Sequence, residues 1–222
     1  LCLPFASAGA AEIIPARSVT ANGMTVLFLE QHFLPTVEIH ALVKVGSAQD
    51  PPDKAGLANL TASLLDEGTV TRTARQIAEQ IDFVGGSLGA HATEDFTTAA
   101  ARVLKKDADL GFALLADMLQ HPAFHKQEFE RIRAQILGEI VSDDDDPGNV
   151  AMKAFHQLIF HGHPYSWPAH GTEETLHRIT VADIQQFHAR EYVPNQTILV
   201  IVGDLTQEQV ATLVQNHFGS WK

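Results

Sequence analysis

Apolar residues recur with two different periods along this chain, and the two periods predict strands and helices in different segments. Residues 24–29 and 37–45 are rich in β-branched and apolar side chains, and Asn22-Gly23 before the first run is a strong hairpin-turn signal. Residues 87–104 alternate in character and predict two strands joined by a turn at 93–95. Residues 196–202 predict one more strand, which is buried.

Helical spacing of apolar residues accounts for most of the remaining chain. Asp53 is a candidate cap for the first helix, and Thr180 with Asp183 forms a capping box in which aspartate replaces the usual glutamate. The acidic run at 143–146, followed by Pro147, predicts a solvated break with helix-capping aspartates, since its spacing does not suit a calcium loop. Helices are predicted at residues 54–65, 73–83, 107–119, 126–141, 149–160, 180–189 and 206–218.

The first eleven residues differ from the rest of the chain. They are apolar and then small, and Ala6-Ser7-Ala8 fits the pattern of a signal-peptidase site, although a basic start and most of an apolar region are missing. We interpret residues 1–11 as the remnant of a signal peptide, which predicts a periplasmic or secreted protein. The alternative is an apolar N-terminal strand. No repeat or low-complexity linker divides residues 12–222, which predicts one α+β domain there.

Composition excludes several classes of function. The 222 residues include 15 Lys and Arg against 27 Asp and Glu, so the net charge is −12 and binding to nucleic acid or an anionic membrane through bulk charge is disfavoured. The single cysteine, Cys2, excludes an internal disulfide framework and a multi-cysteine zinc site. No apolar run approaches the ~20 residues of a membrane-spanning helix.

Short fragments in a common order over about 200 residues resemble the N-terminal domain of the M16 metallopeptidases, the pitrilysin, insulinase and mitochondrial-processing-peptidase family. The resemblance implies an α+β domain with a mixed, largely antiparallel sheet packed with helices. It also implies that a second family domain lies outside residues 12–222. The fragments that carry it include Gly56-Leu57-Ala58, Leu64 to Thr69, Gly85-Gly86-Ser87-Leu88, Pro122-Ala123-Phe124, Ile136 to Ile140, His163-Pro164-Tyr165, Tyr192 to Asn195 and Val202-Gly203-Asp204.

The resemblance also locates the zinc motif, which has degenerated here. An active member carries His-x-x-Glu-His on the helix after the glycine at position 56. Its histidines at i and i+4 reach one zinc ion from one helical face, and its glutamate acts as general base on the zinc-bound water. This chain has Asn59, Ala62 and Ser63 at the three positions. Two ligands and the base are lost together, so the resemblance predicts no catalytic residue and no bound metal or other cofactor.

Glu139 matches the distant glutamate that serves the family as third ligand. It is a relic of the metal site, or it binds an ion with new partners; the first interpretation is preferred because one carboxylate and an asparagine oxygen make a weak zinc site. His161, His163 and His170 within ten residues would be candidates for a relocated site, and His91 for a residue facing the former zinc position. A loop motif and a partly buried strand histidine are the more ordinary explanations.

Three functions are compatible with these features. The preferred one is a catalytically inactive half of a zinc-peptidase assembly, paired with a homologous catalytic subunit or a second M16 domain, which helps form the chamber and holds an extended peptide. The alternatives are an active zinc metalloendopeptidase with ligands from elsewhere, for which zinc would be the cofactor, and a pure assembly module. The peptide-binding residues predicted by the resemblance form one edge strand: Ser87, Leu88, Gly89, Ala90, His91, Ala92 and Thr93.

Overall fold

Six strands form one mixed sheet in the computed structural model, which describes residues 15–222. The strand order is β1-β2-β6-β3-β5-β4, and every neighbouring pair is antiparallel except β2 and β6, which are parallel. The mixed, largely antiparallel sheet is therefore as predicted. The strands are β1 (Ala16–Val19), β2 (Thr25–Glu30), β3 (Thr36–Val43), β4 (Ser87–Ala92), β5 (Thr97–Leu104) and β6 (Thr197–Gly203).

One face of the sheet is buried and the other is partly open. In β3 the side chains of Val37, Ile39, Ala41 and Val43 are fully buried, while the alternate positions are only half-buried. Strands β5 and β6 show similar alternation, so the helices of the described residues cover one face. The hairpin predicted at Asn22-Gly23 joins β1 to β2, and the predicted turn after residue 92 joins β4 to β5.

Eight α-helices are present in residues 15–222, and their positions mostly follow the apolar periodicity. Phe112 on α3, Phe187 on α7 and Phe218 on α8 are among the largest fully buried side chains, and they belong to the same core as the buried face of the sheet. The helices are α1 (Leu57–Ala62), α2 (Ala74–Phe83), α3 (Ala108–Gln120), α4 (Lys126–Asp144), α5 (Pro147–Ile159), α6 (Glu173–Arg178), α7 (Val181–Glu191) and α8 (Gln207–Phe218).

Three of the predicted helix boundaries were wrong. The first helix begins at Leu57 rather than near residue 54, because Gly56 has a left-handed backbone with φ of +97°, and it ends at Ala62. Helix α4 continues to Asp144 through the first part of the acidic run. The six residues of α6 were not predicted at all, because a helix this short shows no apolar period; Thr172 caps it.

The acidic run nevertheless contains the expected helix cap. The Asp146 side chain accepts hydrogen bonds from the backbone N–H groups of Gly148 and Asn149, at 2.7 and 3.0 Å, and so begins α5. The predicted signal-peptide remnant, residues 1–11, lies outside the described residues. None of the helices within residues 15–222 combines the length and the apolar composition needed to cross a membrane.

Candidate functional site: the degenerate zinc helix and the β4 edge

A buried carboxylate fixes the start of helix α1. Asp50 is 5% exposed, and its two carboxylate oxygens accept hydrogen bonds from the backbone N–H groups of Gly56 and Ala58, at 2.8 and 2.9 Å. These donors are among the N–H groups that a helix leaves without an internal partner. Burial raises the pKa of Asp50 to about 7, against the opposing effect of the N–H groups of Ala58, Gly56 and Leu57, which favour the ionised form.

Two glycines allow the chain to cross itself at this point. A Cβ atom at Gly56 would lie 2.7 Å from the carbonyl oxygen of His170, and one at Gly171 would collide with the carbonyl oxygen of Ala55. Both glycines have positive φ, +97° and +81°, which other residues rarely adopt. The Thr175 hydroxyl on α6 also donates to the Ala55 carbonyl, at 2.8 Å, so α6 is tied directly to the residues just before α1.

The three degenerate positions lie on α1 and at its C-terminal end, as the sequence predicts. Ala62 is fully buried in the core. Asn59 and Ser63 are half-buried and one turn apart, and the backbone N–H of Ser63 donates to the Asn59 carbonyl at 2.9 Å. The structure thus places Asn59, Ala62 and Ser63, which the family resemblance assigns to the two ligands and the base of the zinc motif, on or directly after one helix.

Glu139 lies on the exposed side of α4. Its Oε1 accepts a hydrogen bond from Gln135 Nε2, one helical turn earlier, at 3.1 Å. Over residues 15–222 there is no hydrogen bond or ion pair between Glu139 and either Asn59 or Ser63. The contacts of Glu139 are those of a solvated helix residue.

The donor atoms of this site do not fit a catalytic zinc ion. Such ions take three protein ligands from histidine, cysteine or carboxylate, whereas α1 offers one amide and one hydroxyl. In the part of the chain that the structure describes, no group of three or more His, Cys, Asp or Glu side chains is arranged to hold a metal ion. No zinc-dependent step can be derived from these residues.

The histidine-rich loop has structural contacts of its own. His163 Nδ1 accepts a hydrogen bond from the Tyr165 backbone N–H at 3.2 Å, and the two rings meet edge to face. The Tyr165 hydroxyl donates to the Asp95 carboxylate at 2.7 Å, which joins this loop to the turn between β4 and β5. His170 Nε2 is 3.6 Å from Asp143 Oδ2, and His161 is exposed. These contacts explain the loop without a relocated metal site.

Strand β4, which contains six of the seven predicted peptide-binding residues, is an edge of the sheet. Within residues 15–222 it pairs only with β5, and it contains no proline or lysine of the kind that protects natural edge strands. His91 is exposed, and a Cβ atom added at Gly89 would meet nothing within 4 Å. Among the described residues, no strand pairs with the outer backbone groups of β4, and none fills the space above Gly89. Thr93, the seventh predicted residue, follows β4. Its N–H already donates to the Phe96 carbonyl and is therefore not free to bind an added strand.

A groove of about 540 Å³ runs beside the beginning of β4. Ile77 and Ile81 of α2 and Leu88 of β4 supply its apolar part, and the carboxyl group of Asp66 lies in its wall. Burial is the main cause that raises the pKa of Asp66 to about 6, and the neighbouring charge of Glu67 adds to it. A peptide strand added to β4 would therefore have a half-apolar, acidic groove next to it.

Sequence reasoning missed two features of this region. Asp50 looked like part of a chain break, because the donors that it caps lie six and eight residues further on. The β4 groove depends on α2 packing beside β4, which residue spacing within either element does not reveal. In the sequence, the one signal for the Asp50 cap was an acidic residue directly before Pro51-Pro52, shortly ahead of an apolar helix.

Comparison with models of protein families assigns this chain to one family. Residues 25–173 match the model of the insulinase family, peptidase family M16, and residues 178–222 match that of the peptidase M16 inactive domain. The chain therefore belongs to the M16 peptidase family. The two matched segments share one core in the structure, since β6 from the second segment lies between β2 and β3 from the first.

Relatives and solved structures give the same family assignment. The chain is 32% identical over 204 residues to an uncharacterized zinc protease of Mycobacterium leprae, covering 92% of this chain and 46% of that protein. It is 28% identical over 203 residues to the mitochondrial cytochrome b-c1 complex subunit 1 of Rattus norvegicus, covering 91% and 42%. The crystal structure of a peptidase M16 inactive domain from Pseudomonas fluorescens superposes with a TM-score of 0.88 at 26% identity, covering 92% and 50%. The chain spans about half the length of these relatives.

Asp50 predicts a specific pH dependence of stability. Because its folded-state pKa of about 7 is above the unfolded value of 3.8, its protonated form is favoured by folding, and the resulting stability is lost as pH rises through 7. The unfolding free energy of the native chain, minus that of Asp50→Asn, should fall between pH 4 and pH 7 by up to about 1.4 kcal/mol per pH unit. Urea unfolding of both proteins at several pH values measures it, with Asp53→Asn as control for removing one charge. A difference that stays flat or rises with pH would contradict the assignment.

Proposed function

We propose that this chain is the catalytically inactive half of an M16 zinc-peptidase assembly, where it helps form the substrate chamber and holds extended peptide along β4. The observation that carries the proposal is Ala62, a fully buried alanine at the position of the general base, with Asn59 and Ser63 in place of the two histidine ligands. A homologous catalytic subunit or second M16 domain supplies the zinc chemistry. The pattern at residues 1–11 supports a periplasmic or secreted location.

Two observations favour a peptide-binding role over a pure assembly module. Strand β4 offers an unprotected edge, at which an extended peptide gains main-chain hydrogen bonds. The groove beside it provides both apolar contacts and carboxyl groups for peptide side chains. The assembly module remains the second candidate, because one relative, the cytochrome b-c1 complex subunit, is named as part of a complex.

An active zinc endopeptidase is the third candidate, and the name of the Mycobacterium leprae relative favours it. We expect the purified chain, prepared without a metal-affinity tag, to hold less than about 0.1 zinc per chain and to leave fluorescein-labelled casein uncleaved, because α1 lacks two ligands and the base. Elemental analysis and a chelator-controlled cleavage assay measure both. Ala62→Glu should not rescue cleavage and should lower stability, since it places a carboxylate in the core.

One tightly bound zinc per chain, together with cleavage that a chelator stops, would contradict the inactive assignment.

Peptide binding at β4 is tested by site-specific photocrosslinking. In the test variant, benzoylphenylalanine replaces His91, which is exposed on β4. In the matched control it replaces Arg17, which is exposed on β1 at the other edge of the sheet. A pool of biotinylated, unstructured 12-residue peptides should label the His91 variant at least fivefold more than the Arg17 variant. Two further peptide sets are N-methylated at the odd-numbered or at the even-numbered residues. Only one of the two sets should lose labelling, because only alternate N–H groups of an added strand face β4.

Equal labelling at the two edges would contradict peptide binding at β4. No labelling at either edge would support the pure assembly module.

A further inference from the structure

The side-chain amide of Asn22 fastens the β1–β2 hairpin to the turn that follows α8, residues 218–221, which we call the α8 turn. Its Nδ2 donates two hydrogen bonds, to the backbone carbonyls of Phe218 and Trp221, each at 2.9 Å. Its Oδ1 accepts a hydrogen bond from the Thr20 hydroxyl. An amide has two N–H donors and one carbonyl oxygen, and all three atoms are engaged here. The side chain is therefore held at both its nitrogen and its oxygen.

The same asparagine precedes a glycine, and this sequence favours loss of the amide group. Gly23 has no side chain to shield its backbone nitrogen, so that nitrogen reaches Cγ of Asn22 more readily than it would before a larger residue. In the reaction the Gly23 nitrogen loses its proton and bonds to Cγ, and ammonia leaves, which gives a five-membered succinimide. Water then opens the ring at one of its two carbonyls and leaves aspartate or isoaspartate at position 22.

The folded hairpin holds both reacting atoms away from this reaction. The Gly23 N–H donates to the Thr20 carbonyl at 3.0 Å, so the nitrogen is engaged before any attack can begin. Cγ of Asn22 swings over to that nitrogen only if Nδ2 first releases the carbonyls of Phe218 and Trp221. Ring closure thus requires that the hairpin and the α8 turn separate.

Conversion of Asn22 would remove the donors that close the α8 turn. A carboxylate accepts hydrogen bonds and donates none, so it would face the two backbone carbonyl oxygens as a third acceptor. Trp221 is 6% exposed, and its ring centre lies 6.1 Å from that of Phe218. Helix α8 has a tether of its own, because Gln120 Nε2 donates to the His217 carbonyl at 2.8 Å. The α8 turn would be released while the helix stays in place.

We propose that Asn22 is a deamidation site that acts as an irreversible switch for the α8 turn. As an amide it closes the turn, it converts only when the turn opens, and as a carboxylate it no longer closes it. The inference goes beyond the proposed function and does not rest on it, since no metal ligand or peptide-binding residue takes part. It turns a transient opening of the fold into a permanent chemical mark.

Ageing experiments test the protection. The 222-residue chain and a synthetic peptide of residues 18–27 are incubated at neutral pH and the same temperature, and peptide mapping by mass spectrometry follows the mass gain of deamidation at Asn22. We expect conversion at least tenfold slower in the folded chain, because the reaction there requires local opening. Thr20→Val removes the bond to Oδ1 and should speed conversion at least threefold in the folded chain and leave it unchanged in the peptide.

Trp221 fluorescence tests the release. It is read in a Trp167→Phe background, because the chain has two tryptophans. Acrylamide should quench Trp221 at least twofold more strongly in Asn22→Asp than in the unmodified chain, with unchanged far-UV circular dichroism. A chain converted by incubation in urea and then refolded gives the same reading without a variant, should Asn22→Asp fail to fold.

Asn195→Asp is the matched control for added charge. Asn195 lies beside the same turn, since a Cβ atom built on Gly23 would be 3.2 Å from that of Asn195. Within residues 15–222 the side-chain bonds to the Phe218 and Trp221 carbonyls come from Asn22. Asn195→Asp should therefore leave the quenching of Trp221 unchanged.

Equal conversion of Asn22 in the folded chain and in the peptide would overturn the inference, because the fold would then give the amide no protection. Unchanged quenching of Trp221 in a folded Asn22→Asp chain would also overturn it, because a carboxylate would then close the turn as the amide does. The same increase in Asn195→Asp would assign the release to added charge rather than to lost donors, and would overturn it as well.

Discussion

The position of helix α1, and with it the degenerate site, depends on one buried carboxylate. Asp50 accepts hydrogen bonds from the first N–H groups of a six-residue helix that would be marginal in isolation. Asp50 in turn is held where Gly56 and Gly171 let two chain segments meet at backbone distance. These contacts hold α1 in place whether or not the helix carries metal ligands.

The residues that pack α1 into the core differ from those that the family resemblance assigns to the zinc motif. Leu57, Leu60 and Leu64 are buried in the main core, so the apolar face of the helix is needed for folding whatever the polar face carries. Ala62 is fully buried, so a glutamate at this position would place a charge in the core. The packing of α1 therefore does not depend on metal ligands.

The sequence predicts the elements of this fold better than it predicts their contacts. Strands such as β3 are rich in β-branched and apolar residues and were predicted from them, and the predicted first helix contains the whole of α1. The predicted start of the first helix, near residue 54, was wrong by about three residues. The left-handed Gly56 before α1 packs against the carbonyl oxygen of His170, 114 residues away, and no local pattern reveals that contact. The apolar stripe of α5 was visible as a helix, but its outward orientation depends on Asn149 and Lys153 binding the end of α4.

The most direct measurement places this chain in a complex with a homologous M16 subunit that carries an intact His-x-x-Glu-His, and compares peptide turnover among variants of the two chains. If this chain contributes the chamber and the β4 edge alone, turnover requires both chains and is abolished by substituting the zinc-ligand histidines of the other subunit. Glu139→Gln and Asn59→Ala in this chain should then leave turnover within twofold. Loss of turnover and of bound zinc in Glu139→Gln would contradict the account, because it would make this half a metal-binding one.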